Sequence, residues 1–381
     1  MRIGIDARLL EREMTGIGRV VAGILNCIRS LDKDNEYFLF SFGNLENYRK
    51  KGFTIIPTGR NKVIPSEVYS PIWLNFILPR YIKKNNIDLF FFPSSLIPTV
   101  NLRCKKVILL CDVFHKVNKN YHPFFYRKYL DLFLNFSIKK SNLVLTISEN
   151  SKEDIINFYK VPGGKIKMVY LAAGEEFRPR LLTPEEKEYL IKKYNLPPNF
   201  ILYIGIIDFR KNINAIIETA DILVNREKKD VYFVLIGRPA LDYKNIIKKS
   251  QKIREGHIIF LDAESKDIPF IYNLANVFFF PSFYEGFGLS PLEAMQSGTP
   301  VVASNASSLP EVIGEEGGGG GLMREPNDYQ GFANDILKLS EDKNFYQEIR
   351  EKGVEQAKNF SWRKTTEEII EVFNQIYETE K

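Results

Sequence analysis

Short apolar runs alternate with longer amphipathic stretches along the whole chain, the pattern of parallel strands joined by crossover helices. In the first half the runs are RIGID from Arg2, YFLFSF from Tyr37, DLFFF from Asp88, KVILLCD from Lys106 and LVLTIS from Leu143. In the second half they are FILYIG from Phe200, VYFVLIG from Val231, IIFLD from Ile258, VFFFPS from Val277 and PVVAS from Pro300. Each group predicts one α/β sheet. The turn-rich, charged stretch from Gly174 to Asn199 reads as the connection between two domains and the first helix of the second. The predicted division is therefore 1–175 and 176–362. No repeat of about 20–50 residues is evident, which argues against a solenoid. Doubly wound domains bind ligands at the carboxyl ends of their strands, so two in series predict a site in a cleft between them.

Composition supports this picture. A length of 381 residues suits two domains, and 44% hydrophobic with 26% charged residues is that of a globular chain. The longest uncharged stretch, Ile268 to Tyr284, contains Pro269 and Pro281 and fails as a membrane span. The start MRIGIDAR has no apolar leader segment, and the three cysteines, without a CxxC pair, fit reduced thiols in a cytoplasmic protein. The net charge of +6 hides an asymmetry. Residues 1–180 hold 29 Lys+Arg against 16 Asp+Glu, while 181–381 hold 24 against 31. A basic half suggests an anionic partner such as nucleic acid, an anionic membrane leaflet or a phosphorylated substrate. No nucleic-acid module accompanies it. The segment His115 to Lys140 interleaves basic residues with Tyr and Phe; it reads either as a helix at a membrane surface or as an amphipathic helix packed on a sheet. The glycine run Gly317–Gly321 implies a mobile or tightly turning loop.

Three places carry candidate chemistry. After RIGID, Thr15-Gly16-Ile17-Gly18 precedes an apolar helix, where glycines let backbone N–H groups approach an anion; a plain strand–loop–helix link is the alternative. After FILYIG, Arg210 and Lys211 stand before a helix, two cations suited to a diphosphate, or else a solvated charge pair. The third place is YEGFGLSPLEAMQSGTPV, where the loop residues Glu285, Gly286, Phe287 and Gly288 lead into a helix. Ser290 and Glu293 form a capping-box pattern with Pro291 at the first helical position, a structural use for Glu293 that leaves Glu285 unexplained. Two carboxylates eight residues apart, with loop N–H groups between them, suit the hydroxyls of a sugar and of a ribose.

These residues resemble the retaining family-4 glycosyltransferases of the GT-B type, in which two Rossmann-like, doubly wound α/β domains face each other across a cleft. The shared motif is E-x7-E, Glu285 to Glu293; GIDARLL with TGIGR, LVLTISENSKEDI, YIGIIDFRKN, VLIG, SSLPEVIG and Phe360-Ser361-Trp362 follow the family's order over nearly the whole chain. Within the family, GIDAR and RKN look most like bacterial mannosyltransferases of O-antigen and capsular polysaccharide synthesis. The resemblance implies that Glu293 binds the ribose of a nucleotide-sugar donor, and that Glu285 with the backbone of Gly286, Phe287, Gly288 and Leu289 holds the transferred sugar. It further implies that Lys211, six residues after Gly205, binds the diphosphate. The arginine that many members carry after that glycine is Ile206 here, which leaves Arg210 as the second cation. Gly16 and Gly18 would lie against the diphosphate or the acceptor, and a C-terminal helix over about 363–381 would pack back on the first domain.

One departure is Cys111-Asp112, where many members have His-Asp near the donor sugar. Either the histidine is dispensable and Asp112 keeps a polar contact, or His115 substitutes, or activity is weak. Family behaviour implies retention of configuration, with the leaving diphosphate stabilised by Lys211, Arg210 and backbone N–H groups. The histidines are scattered and the lone DxD, Asp32-Lys33-Asp34, lies in a polar loop, so no metal site and no cofactor is expected. Alanine at Glu285 or Lys211 is expected to lower turnover by orders of magnitude with the fold intact. The expected partners are a nucleotide sugar and a glycan or lipid-linked acceptor, with peripheral contact to an anionic inner membrane face through the basic half. A sugar-nucleotide epimerase, a sugar phosphorylase and a non-catalytic sugar-nucleotide binding protein share this architecture and stand as alternatives.

Overall fold

The structure, a computed structural model, describes every residue except 12–15, 62, 120, 241, 315–318 and 379–381, and the side chains of 66 and 67. The chain forms two compact units, Met1–Leu171 with Ser361–Lys381, and Ala172–Phe360.

The sheet of the first unit contains β1 (Arg2–Asp6), β2 (Glu36–Ser41), β3 (Thr54–Pro57), β4 (Leu89–Phe92), β5 (Lys105–Leu109), β6 (Leu143–Thr146) and β7 (Ile166–Met168), in the order β3-β2-β1-β4-β5-β6-β7. Every pairing is parallel. Helices cover both faces of such a sheet, so its central strands read as unbroken apolar runs; all four residues of β4 are buried. The first helix, Gly16–Leu31, buries Val20, Val21, Ile24, Leu25 and Ile28. The terminal helix, Trp362–Glu378, lies against it where Gly23 bares the backbone, since a Cβ there would fall 2.4 Å from the Trp362 ring. Thr365 Oγ1 donates to the Tyr170 carbonyl at 2.6 Å, and Phe373 packs on Phe91 of β4.

The aromatic-basic segment is two helices, Phe114–Val117 and Phe124–Lys140, separated by a stretch that ends at Pro123. Only Leu134, Ser137 and Ile138 of the longer helix are buried. Its first half leaves Phe124, Phe125, Tyr126, Tyr129 and Leu132 exposed, Phe125 by 85%.

The second unit repeats the winding with β8 (Phe200–Ile204), β9 (Tyr232–Ile236), β10 (Ile258–Leu261), β11 (Val277–Phe280), β12 (Val301–Ser304) and β13 (Gly321–Arg324), ordered β10-β9-β8-β11-β12-β13 and parallel throughout. The strand order reverses between β8 and β11, as it does between β1 and β4 in the first unit. Such a switch point leaves a crevice at the carboxyl ends of the two strands. Of the glycine run, Gly317 and Gly318 lie outside the described residues. Gly320 is a packing residue, since its N–H donates to the Ile313 carbonyl and a Cβ would fall 2.9 Å from the Gly353 Cα.

Candidate active site

Both strands at the second switch point end in loops that carry charge. After β8, Gly205 passes so close to the end of β9 that a Cβ on Gly237 would sit 1.8 Å from the Gly205 carbonyl oxygen, which restricts position 237 to glycine. The chain then turns through a 3-10 segment, Phe209–Lys211, started by buried Asp208, whose side chain accepts the Lys211 N–H at 3.1 Å. Asn212 ends the turn in the left-handed region (φ 52°), and its Nδ2 donates to the carbonyls of Pro281 (3.0 Å) and Pro326 (2.8 Å). Held at both ends, Lys211 turns inward. It is 7% exposed, and its Nζ donates to Glu285 Oε1 at 2.5 Å while lying 5.0 Å from the Phe280 ring centre.

Glu285 follows β11 and is equally buried. Its loop is fixed from beneath by two serines: Ser307 Oγ accepts the Glu285 N–H at 2.7 Å, and Ser308 Oγ lies 2.9 Å from the Phe287 carbonyl and 3.0 Å from that of Glu285. Phe287 is buried and meets Phe360 edge to face. Gly288, at φ +116°, then starts the helix Leu289–Gln296. The expected capping box does not form. Glycine takes the N-cap in a conformation that a side chain rarely adopts, which places Ser290 inside the first turn and Pro291 third in the helix. Glu293, 3% exposed, faces the Tyr272 hydroxyl instead, 3.2 Å from its Oε2. At the far end of the helix, Gln296 Nε2 donates to the carbonyls of both Gly174 and Phe177 at 2.8 Å.

Burial pushes the Glu285 carboxyl up, but the charges of Lys211 and Arg210 and the hydrogen bond from Lys211 outweigh it and hold the group below its ordinary value. For Lys211, burial with the adjacent Arg210 charge outweighs the pull of Glu285, and the amine lies below its ordinary value. Arg210 is half-buried, and its carbonyl accepts the Phe283 N–H. A lysine stationed at a strand end, paired with a carboxylate and backed by an arginine, is a cationic patch able to meet an anion.

The structure thus brings Arg210, Lys211, Glu285, Gly286, Phe287, Gly288, Leu289 and Glu293 together at the carboxyl ends of β8 and β11. Gly16, Gly18 and Asp112 belong to the first unit. Gly16 and Gly18 fall in the first turn of helix Gly16–Leu31, and among the described residues nothing beyond its chain neighbours and its own helix's backbone comes within 4 Å of where a Cβ on Gly16 would sit. Asp112 Oδ1 accepts the Phe114 N–H at 3.0 Å. Burial pushes the neighbouring Cys111 thiol up to about 12. His115 is buried, its Nε2 3.1 Å from both Asp131 Oδ1 and the Tyr159 hydroxyl, so the imidazole is hydrogen-bonded within the first unit. Asp32 of the DxD stretch is likewise engaged by Asn35 and Tyr37. Among the described residues no group of three or more His, Cys, Asp or Glu is arranged to hold a metal ion. Sequence reasoning overlooked Asp208, Asn212, Ser307, Ser308 and Tyr272. RKN and SSLPEVIG contained the signal for three of them.

Comparisons with known proteins assign each unit separately. Residues 14–173 match the family described as Glycosyltransferase Family 4, and residues 186–360 match Glycosyl transferases group 1. O-antigen chain mannosyltransferase B of Escherichia coli is 34% identical over 66% of this chain and 66% of its own length. The serotype-specific mannosyltransferase WbdA of E. coli is 31% identical over 74% of this chain but only 35% of its own length, so the chain spans about a third of that relative. The crystal structure of Anabaena HepE in complex with UDP and glucose shares the fold, with a TM-score of 0.72 over 98% of this chain and 99% of that one at 16% identity. With both matches in chain order, one on each Rossmann-like unit, the chain belongs to the family-4 glycosyltransferases and has their GT-B fold.

Proposed function

We propose that the chain is a retaining hexosyltransferase that moves a sugar, mannose by its relatives, from a nucleotide-sugar donor to a growing glycan or lipid-linked acceptor in cell-surface polysaccharide synthesis. The observation that carries this reading is the buried Lys211–Glu285 pair at the second switch point, with Glu293 on the helix that follows. In the reaction the donor's C1–O bond breaks, the acceptor oxygen bonds to C1 on the same face, and an oxygen of the departing diphosphate takes the acceptor's proton. Lys211 and Arg210 offset the charge that develops on that diphosphate, a preorganised electrostatic role. Glu285 and the backbone of residues 286–289 hold the sugar, and Glu293 holds the ribose. Gly16, Gly18 and Asp112 serve donor or acceptor from the first unit, and no step calls for a metal or cofactor.

The relatives' names support mannose and O-antigen, and the HepE complex supports a nucleoside diphosphate. Thermal shift with GDP, UDP, ADP and dTDP tests the reading first, because a ligand that binds the folded state raises its melting temperature. Incubation of the matching nucleotide sugar with acceptor must then yield a glycoside. An epimerised nucleotide sugar or a sugar phosphate as product would favour the alternatives, and binding without turnover would favour a non-catalytic role.

No described helix is long and apolar enough to cross a membrane. Peripheral contact at a cytoplasmic membrane face is supported by the exposed Phe124, Phe125, Tyr126, Tyr129 and Leu132 beside Arg127 and Lys128, in a half of the chain with excess positive charge. Co-sedimentation with anionic liposomes at low salt, lost at high salt, is the expected behaviour.

A further inference from the structure

We propose that Tyr272 is the positioning residue for Glu293, fixing its carboxylate in the place from which it grips the donor's ribose; the proposal rests on the ribose role of Glu293 given above. Tyr272 lies on the helix Ile268–Leu274 and is wholly buried. Its ring is wedged between Phe177, edge to face at 5.7 Å, and Phe278 of β11, tilted at 5.3 Å. Its backbone carbonyl accepts the Thr299 hydroxyl at 2.7 Å, so ring and backbone are both fixed. The phenol oxygen then stands 3.2 Å from Glu293 Oε2 and 3.2 Å from the Ser290 carbonyl, both on the helix Leu289–Gln296.

A buried phenol needs an acceptor, and a bond to a carboxylate is stronger than one to a neutral carbonyl such as that of Ser290. Glutamate carries considerable rotamer entropy, and a side chain ordered before the ligand arrives spares that cost on binding. Packing alone calls only for an aromatic ring at this position, which phenylalanine supplies. The hydroxyl is what bears on Glu293.

The test compares wild type with Tyr272→Phe, Glu293→Gln and Thr299→Val. Whichever of GDP, UDP and ADP stabilises the wild type most is titrated against each protein beside its 2′-deoxy form, and KM and kcat are measured with the matching nucleotide sugar. Wild type is expected to prefer the ribonucleotide. Tyr272→Phe is expected to lose roughly tenfold of that preference, as befits a hydrogen bond to a charged group, with the loss falling on KM rather than kcat. Thr299→Val, which removes a contact to the Tyr272 backbone but leaves the ring seated against Phe177 and Phe278 and the hydroxyl in place, is expected to lower the melting temperature and keep the preference. If Glu293→Gln abolishes the preference while Tyr272→Phe retains it, Tyr272 is a packing residue only and the ribose reading survives. If wild type itself does not distinguish the two nucleotides, the ribose role of Glu293 falls and the proposal with it.

Discussion

Removal of the Lys211 amine tests the site most directly, because it separates a catalytic loss from a structural one. In Lys211→Ala the Glu285 carboxylate, 7% exposed, loses a partner 2.5 Å away. Breaking a buried ion pair from one side costs about 3–5 kcal/mol, since the remaining charge stays desolvated. At about 2–4 °C per kcal/mol for a domain of this size, the melting temperature falls by roughly 10 °C. The structure thus replaces the expectation of an unchanged fold with one of measurable destabilisation. Turnover falls separately, by about 100- to 1,000-fold, the usual cost of removing one preorganised group that meets developing charge. The double variant Lys211→Met, Glu285→Gln leaves no buried charge at the pair; it is expected to recover most of the melting temperature and none of the activity. The stability has a pH signature. Glu285 lies below its ordinary value of 4.5 in the folded state, so its contribution is full above that pH and is lost as the pH falls through the folded value. Scanning calorimetry from pH 3.5 to 7.5 should show wild type and Lys211→Ala converging at the acid end. A Lys211→Ala enzyme with wild-type melting temperature and turnover would refute the assignment.

Three further outcomes follow from the geometry. Gly237→Ala would force its methyl onto the Gly205 carbonyl, so the variant is expected to express poorly or to lose nucleotide-induced thermal stabilisation. Cys111→Ala is expected to keep wild-type turnover, because burial holds the thiol protonated up to about 12 and leaves it no acid–base role near neutrality; a large loss in a transfer assay would contradict this. Burial lowers the pKa of His115, so its contribution to stability is full above the ordinary value of 6.5 and declines as the pH falls below it; His115→Gln should flatten that part of the melting-temperature profile.

What the sequence revealed depends on burial. The ten apolar runs all became strands: nine lie inside the two sheets, where a parallel strand covered on both faces is apolar along its length, and the tenth, β10, is a partly exposed edge strand that is nonetheless apolar throughout. The strands that escaped, β3 (TIIP), β7 (IKM) and β13 (GLMR), are all sheet edges, three or four residues long and partly exposed, and nothing in their composition separates them from loops. The site divides the same way. Glu285, Glu293 and Lys211 were recognisable as residues, but the contact between Lys211 and Glu285, which are 74 positions apart, depends on which strands adjoin. The capping box misled because a glycine two positions earlier could take the helix start. Tyr272 sits in an apolar run where an aromatic reads as core, and its ring is core; only the hydroxyl's target lifts it out of that class.

The bonds from Gln296 to Gly174 and Phe177, and the seat of Phe360 on Phe287, bear on how this polypeptide is cut for separate expression. A fragment trimmed at the nearest convenient loop, starting after Phe177 or stopping short of Phe360, would strip both acceptors from Gln296 or uncover the aromatic floor of the Glu285 loop. Such a piece would be judged inert when it was only frayed. A useful excision keeps Ala172 through Phe360 whole.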